Sequence, residues 1–192
     1  DGCGGFESTP VVIDDFLAYK TLTLGDYDGD GFLDIALVLN QKLVVHFNNG
    51  LGVFNPFVEV ISTGFQFIDR LKSGDINNDN KADIIYADGG DIRYYPGNNS
   101  SSFSPIETID YSPYFINFFQ LEDVDNDNQL DVITKSDNGS FSEFHISFNL
   151  GGNNFSTNTV LTNLPDNTAN FTVYDSDGAV SYTHLTLPTI MP

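Results

Sequence analysis

Three nine-residue stretches carry oxygen-bearing side chains at positions 1, 3, 5 and 9, and all keep one register. They are Asp26-Tyr27-Asp28-Gly29-Asp30-Gly31-Phe32-Leu33-Asp34, Asp75-Ile76-Asn77-Asn78-Asp79-Asn80-Lys81-Ala82-Asp83 and Asp123-Val124-Asp125-Asn126-Asp127-Asn128-Gln129-Leu130-Asp131. A fourth copy opens at Asp175-Ser176-Asp177-Gly178 and then breaks off. Acids packed this closely in a folded loop repel one another unless a cation sits among them. Alternate positions face one centre. The candidate ligands are therefore the side chains of Asp26, Asp28, Asp30 and Asp34, then Asp75, Asn77, Asp79 and Asp83, then Asp123, Asp125, Asp127 and Asp131. Backbone carbonyls at position 7 (Phe32, Lys81, Gln129) would raise the count towards the roughly six to eight oxygens that calcium prefers. With no Cys or His nearby, zinc and copper fit poorly. Position 6 needs a tight turn, which Gly31 supplies freely and which Asn80 and Asn128 tolerate better than most residues. The expected cofactor is Ca2+, with the second loop the weaker site because Asn77 is neutral.

Two other readings of these loops fall away. A single Asp/Asn/Gly cluster is commonly a solvated turn, but three complete copies in one register are not accounted for that way. An EF-hand needs a Glu at position 12 and flanking helices. Position 12 here holds Leu37, Tyr86 and Thr134, and the flanks, such as residues 35–39 and 132–134, are rich in β-formers.

The charge follows from the loops. The chain has 192 residues and a formal net charge of −20, and 11 of its 27 acids lie in the three complete loops. Such a balance excludes nucleic acid and anionic membrane as partners. No apolar run approaches the length of a membrane-spanning helix, so no membrane insertion is expected. The single Cys3 cannot form an intrachain disulfide.

The repeat is longer than the loop. Loop starts are 49, 48 and 52 residues apart, and a Gly/Asn-rich turn ending in Phe precedes each start by 20 or 21 residues, at Phe6, Phe54, Phe103 and Phe155. A fixed period of this size means an array, solenoid or propeller. Within a period the pattern reads as four short strands. One runs into the loop (Leu22 and Leu24; Phe119 and Leu121; Phe171 and Val173), and a second leaves it, as in 34–39. A third follows a short turn, as in 43–47, 92–95 or 144–148, and a fourth follows the Gly/Asn turn, as in 58–61 and 106–109. No segment shows helical periodicity. Four antiparallel strands per repeat of 40–50 residues is a β-propeller blade. The expected fold is all-β, a propeller fragment of about three and a half four-stranded blades over residues 1–178.

On these residues the chain resembles the FG-GAP and VCBS-type repeats, the calcium-binding blades also found in the head of integrin α subunits. The specific part of the resemblance is the nine-residue loop; the literal Phe-Gly…Gly-Ala-Pro string is absent, and Asn77 departs from the usual acid. The resemblance implies a propeller, commonly of seven blades, so that this chain would hold about half of one. Residues 1–13 match the last turn and strand of a blade, which makes the amino end read as a cut end with no visible signal peptide. Residues 179–192 abandon the repeat, and the back-translation of 180–189 can read as a transposase sequencing adapter. That tail is expected to lie outside the native fold.

Catalytic constellations are missing from the sequence. His46 and His145 fall in third strands, where a structural role is expected, and His184 falls in the tail. No phosphate loop, nucleophile elbow or zinc spacing appears. The aromatic residues Tyr94, Tyr95, Phe115, Phe118 and Phe119 could stack on sugars but sit where blade cores lie. The expected function is a calcium-binding repeat module of a secreted or surface protein, mediating adhesion or engaging a protein or glycan ligand. In the integrin relatives the ligand face is the one opposite the metal loops; the corresponding stretches here are 14–18, 62–66 and 110–114. The alternative is the propeller part of a polysaccharide-active lyase or hydrolase, because similar repeats accompany such enzymes.

Overall fold

The computed structural model describes residues 19–61, 70–98, 103, 107–112, 114–137, 142–156 and 159–164. The blade end expected at 1–13, the fourth loop from 175 and the tail 179–192 lie outside the described residues.

The described residues form twelve strands and no helix. They are β1 (Tyr19–Gly25), β2 (Asp34–Leu39), β3 (Lys42–His46), β4 (Val58–Ile61), β5 (Leu71–Gly74), β6 (Asp83–Asp88), β7 (Asp91–Tyr95), β8 (Glu107–Tyr111), β9 (Phe115–Glu122), β10 (Asp131–Asp137), β11 (Ser142–Ser147) and β12 (Thr159–Leu164). They make three four-stranded antiparallel sheets, β1-β2-β3-β4, β5-β6-β7-β8 and β9-β10-β11-β12, each in simple sequence order. Each sheet is one propeller blade, and the all-β fragment expected from the repeat is what the chain forms. The third strands start one or two residues earlier than the apolar runs suggested, at Lys42, Asp91 and Ser142. Those polar residues pair with Leu39, Asp88 and Asp137 and complete the ladders there. Asn40 and Gln41 close the β2–β3 hairpin with φ of 49° and 65°, the double left-handed geometry of a two-residue hairpin turn.

The second strand of the middle blade, β6, is sandwiched between the first and third blades. In β6 the alternation usual for a half-solvated strand disappears, and Asp83 to Ala87 are all buried. Ile84 and Tyr86 face the first blade, in a core with Tyr27, Ala36, Val38, Leu43, Val45, Phe47 and Leu71. Ile85 and Ala87 face the third, in a core with Ile76, Ile92, Tyr94, Ile116, Phe119 and Val132. A third core holds Val124, Ile133 and Phe144. The stability of the array thus resides in the seams between blades, as in any repeat whose single unit cannot bury its own faces.

The recurring Phe of the Gly/Asn turn docks one blade on the previous one. Phe103 packs against the first seam, edge-on to Tyr27 at 6.3 Å and stacked on Phe47 at 6.4 Å. Phe155 packs against the second seam. The aromatic pair Tyr94 and Phe119 is buried core, and Phe115 is exposed. His46 and His145 are both buried in third strands, with His46 Nδ1 3.1 Å from the Asn55 carbonyl and His145 Nε2 3.3 Å from Glu143. Of the stretches opposite the metal loops, 14–18 and 62–66 lie outside the described residues. In the third, Ser112 is buried, and its N–H donates to the Gly90 carbonyl at 2.7 Å. Among the described residues no helix is long and apolar enough to cross a membrane.

Candidate metal centre

Each acidic loop joins the first strand of a blade to the second, and its conformation rests on two left-handed residues rather than one. Position 6 is left-handed in all three loops, with φ of 89° at Gly31, 65° at Asn80 and 67° at Asn128. Position 4 is left-handed as well, with φ of 76°, 60° and 64° at Gly29, Asn78 and Asn126. The Gly/Asn pattern at position 4 was visible in the sequence and carries the same physical meaning. These turns aim successive backbone N–H groups inward. Asp26 accepts from Gly29 at 2.8 Å, Asp30 at 3.0 Å and Gly31 at 2.9 Å. Asp75 accepts from Asp79 and Asn80, and Asp123 from Asp127 and Asn128, all within 2.8 to 3.0 Å.

The ninth residue is different in kind. Asp34, Asp83 and Asp131 are fully buried. Both oxygens of each accept backbone N–H bonds, one from position 2 of the loop and one from the Gly/Asn turn of the same blade. Tyr27 and Asn48 donate to Asp34 at 3.0 and 2.8 Å, Ile76 and Gly97 to Asp83 at 2.9 Å each, and Val124 and Asn149 to Asp131 at 2.8 Å each. This carboxylate staples the loop to the turn. The turn residues Asn48, Gly97 and Asn149 were not singled out by the acid spacing. Their signal was the Gly/Asn turn, 14, 14 and 18 residues after position 9. Position 2 was also missed. Tyr27, Ile76 and Val124 are buried and plug the loop into the apolar cores.

Two loops gather three acids each. Carboxylate oxygens of Asp26, Asp28 and Asp34 lie within 4.8 Å of one another, and so do those of Asp123, Asp125 and Asp131. These groups could hold a metal ion. Their electrostatics fit one: burial, opposed by its hydrogen bonds and aided by Asp28 and Asp30, pushes the Asp34 carboxyl up to about 6. Burial raises Asp131 in the same sense, with Asp125 and Asp127 adding to it, and burial and then Asp30 raise Asp28. Burial is the main cause of these shifts, and the neighbouring acids add a smaller push in the same direction. The donors are all oxygens, the set a hard cation takes.

Position 5 stands apart from these groups. Asp30, Asp79 and Asp127 accept the N–H of Phe32, Lys81 and Gln129 at 2.9, 3.0 and 2.9 Å, which closes the turn. The Gln129 side chain also donates to Asp127 at 2.8 Å. Loop two forms no three-acid group because Asn77 stands at position 3. Its Asp79 has the Lys81 ammonium 3.5 Å away. Burial nonetheless pushes Asp83 up to about 7.

Over 73% of its length the chain is similar to 51% of an Agrocybe aegerita lectin with specific recognition of non-reducing terminal N-acetylglucosamine, at 19% identity and a TM-score of 0.49. Over 80% of its length it is similar to a chain of the Photorhabdus luminescens Tc holotoxin pore, at 18% identity and a TM-score of 0.53. It spans only 8% of that chain. The second likeness supports the fold and nothing finer. No curated protein matches the chain. FG-GAP-like repeats match twice, over residues 26–86 and 75–134, each match running from one acidic loop through the strands to the next. The chain belongs to the FG-GAP-like repeat family.

Proposed function

We propose that this chain is a calcium-stabilised binding module of a secreted or surface protein, with the metal set in the loops and a protein or glycan engaged elsewhere on the blades. The observation that carries the metal is the pair of three-acid groups, Asp26/Asp28/Asp34 and Asp123/Asp125/Asp131, built in one register in two separate blades. Asp30 and Asp127 and the carbonyls of Phe32 and Gln129 complete the proposed ligand sets. In loop two the set is Asp75, Asn77, Asp79 and Asp83 with the Lys81 carbonyl, at lower charge. A bound calcium ion would supply charge compensation and rigidity, not reaction chemistry. The chain's own residues do the rest: the ninth acid ties the loop to the turn, and position 2 ties it to the seam.

The net charge of −20 supports a protein or glycan partner over nucleic acid. Extracellular modules work at calcium dissociation constants of roughly 10⁻⁴–10⁻³ M, which matches an exposed loop site outside the cell. The test is calorimetric titration with calcium and with magnesium, followed by glycan-array and surface-protein binding in calcium and in chelator. Millimolar calcium binding with calcium-dependent ligand capture is expected. Absence of calcium binding at 10 mM would overturn the reading.

A further inference from the structure

We propose that the loops bind calcium as a coupled row, and that the Asn149 side chain is the clasp through which loop three positions loop two. This rests on the calcium reading above.

The geometry is a path of hydrogen bonds, joined by one- and two-residue backbone steps, through all three loops. Asp34 accepts the N–H of Tyr27 at 3.0 Å, and the Tyr27 carbonyl accepts the N–H of Asn98, in the next blade, at 3.0 Å. Its neighbour Gly97 donates to Asp83 at 2.9 Å. Asp83 accepts the N–H of Ile76 at 2.9 Å, and the Ile76 carbonyl accepts the Asn149 amide, from the third blade, at 2.8 Å. The Asn149 N–H then donates to Asp131 at 2.8 Å. A parallel link joins the first two loops directly, because Ala82 N–H donates to the Asp26 carbonyl at 2.9 Å. In the first two blades the ninth acid thus holds the N–H of the residue after the first acid, and the carbonyl of that residue is bonded to the next blade's turn.

The Asn149 side chain is the most specialised part of this path. It is 2% exposed. Its amide nitrogen bridges the Ile76 carbonyl and, at 3.2 Å, the Leu130 carbonyl of its own loop, while its oxygen accepts from Gly151 at 3.1 Å. One side chain therefore touches position 2 of loop two and position 8 of loop three. At the first seam no side chain can play this part, because the stapling residue is Gly97. A Cβ there would run into the carbonyls of Ala82 and Tyr27, and backbone groups make the link instead.

The sign of the coupling follows from what an ion does. Binding at loop three fixes Asp131, and with it the turn that carries Asn149. The ordering cost of loop two is then partly met before its own ion arrives, which makes the second binding tighter. Repulsion between two loaded loops opposes this. At physiological ionic strength charge effects decay over about 8 Å, and a loaded loop three still keeps a net negative charge from its four acids. Ordering wins under those conditions.

The experiment uses the full chain with loop one silenced by Asp30→Ala, titrated with calcium in 0.15 M salt by calorimetry. Asp30→Ala/Asp127→Ala gives the intrinsic affinity of loop two alone. Loop two should bind at least about fivefold tighter when loop three is intact, and addition of Asn149→Ala should erase that ratio. Asn149→Ala retains the backbone N–H to Asp131, so loop three should change by less than about twofold. If Asn149→Ala unfolds, the side-chain amide resonance of Asn149 in Asp30→Ala/Asp127→Ala serves in its place. It should move in step with calcium at loop two, and a static resonance refutes the clasp. Equal affinities of loop two with and without loop three would overturn the coupling while leaving the calcium reading intact. No binding in any variant or in the parent chain would overturn the calcium reading itself.

Discussion

Loops one and three share their backbone with loop two but not their charge. In all three, positions 4 and 6 are left-handed, the first acid accepts the inward N–H groups, and the ninth acid is buried between two backbone donors. Loops one and three carry four acids each and gather three of them, whereas loop two has Asn77 in place of one acid and an ammonium beside another. The same loop therefore forms at two different charge states. The difference teaches that the conformation is set by the Gly/Asn turns and the ninth-position staple, while the acid count at the other positions is the variable that differs between the loops.

The strongest way to break that division is to remove a staple. Asp131→Ala leaves two buried N–H groups without acceptors, at roughly 1–3 kcal/mol each. It should destabilise the chain by about 3 kcal/mol in chelator, and by more in calcium because Asp131 is also one of the three acids proposed to hold the ion, read from denaturant midpoints. Asp127→Ala, at an exposed position of the same loop, should be costly only in calcium. Equal losses for Asp127→Ala with and without calcium would merge the two roles.

Calcium itself should act next in size. At a hundredfold excess over the dissociation constant each occupied site contributes about 2.7 kcal/mol by linkage. Melting temperatures in calcium against chelator should show this increment for loops one and three, and Asp30→Ala should remove one share of it.

Loop two sharpens the comparison from the other side. Asn77→Asp gives it the missing acid, and its calcium affinity should rise about tenfold, equivalent to roughly 1.4 kcal/mol. In chelator the same change should be mildly destabilising, since it adds repulsion without an ion. An unchanged affinity would show that charge count is not what separates the loops.

The smallest effect is a slope against pH between 8 and 6. With metal absent, burial pushes Asp83 to about 7 and Asp34 to about 6, above the unfolded value of about 3.9. A raised folded value means the folded state holds the proton more tightly. This contribution is complete below about pH 4 and lost as pH rises through 6 and 7. The melting temperature in chelator should rise as pH falls from 8 to 6. In saturating calcium the slope should flatten or reverse, because protons compete with the ion. Asp83→Asn should reduce the chelator slope more than Asp34→Asn does.

Much of this protein was legible in one dimension. A period of about 49 residues, four β-forming runs per period and Gly or Asn at the left-handed positions are all local properties, so sequence alone specified the blades and the loop conformation. The acids at positions 1 and 3 could be assigned to a common centre for the same reason, since nine consecutive residues determine where they point. What no spacing could show was the role of the ninth acid. It reads as one more ligand, and only its burial between two N–H groups 7 and 14 or 18 residues away reveals that it is a staple as well. The same holds for Phe103 and Phe155, which look like turn residues and prove to be the docking pieces of the seams. The Asn149 clasp is the extreme case, since its partner Ile76 lies 73 residues back in another blade. Blades pack face to face only once three-dimensional stacking has chosen their offset, and a periodic sequence does not encode which turn will meet which loop. Local chemistry chose the parts, and the seams decided how they are joined.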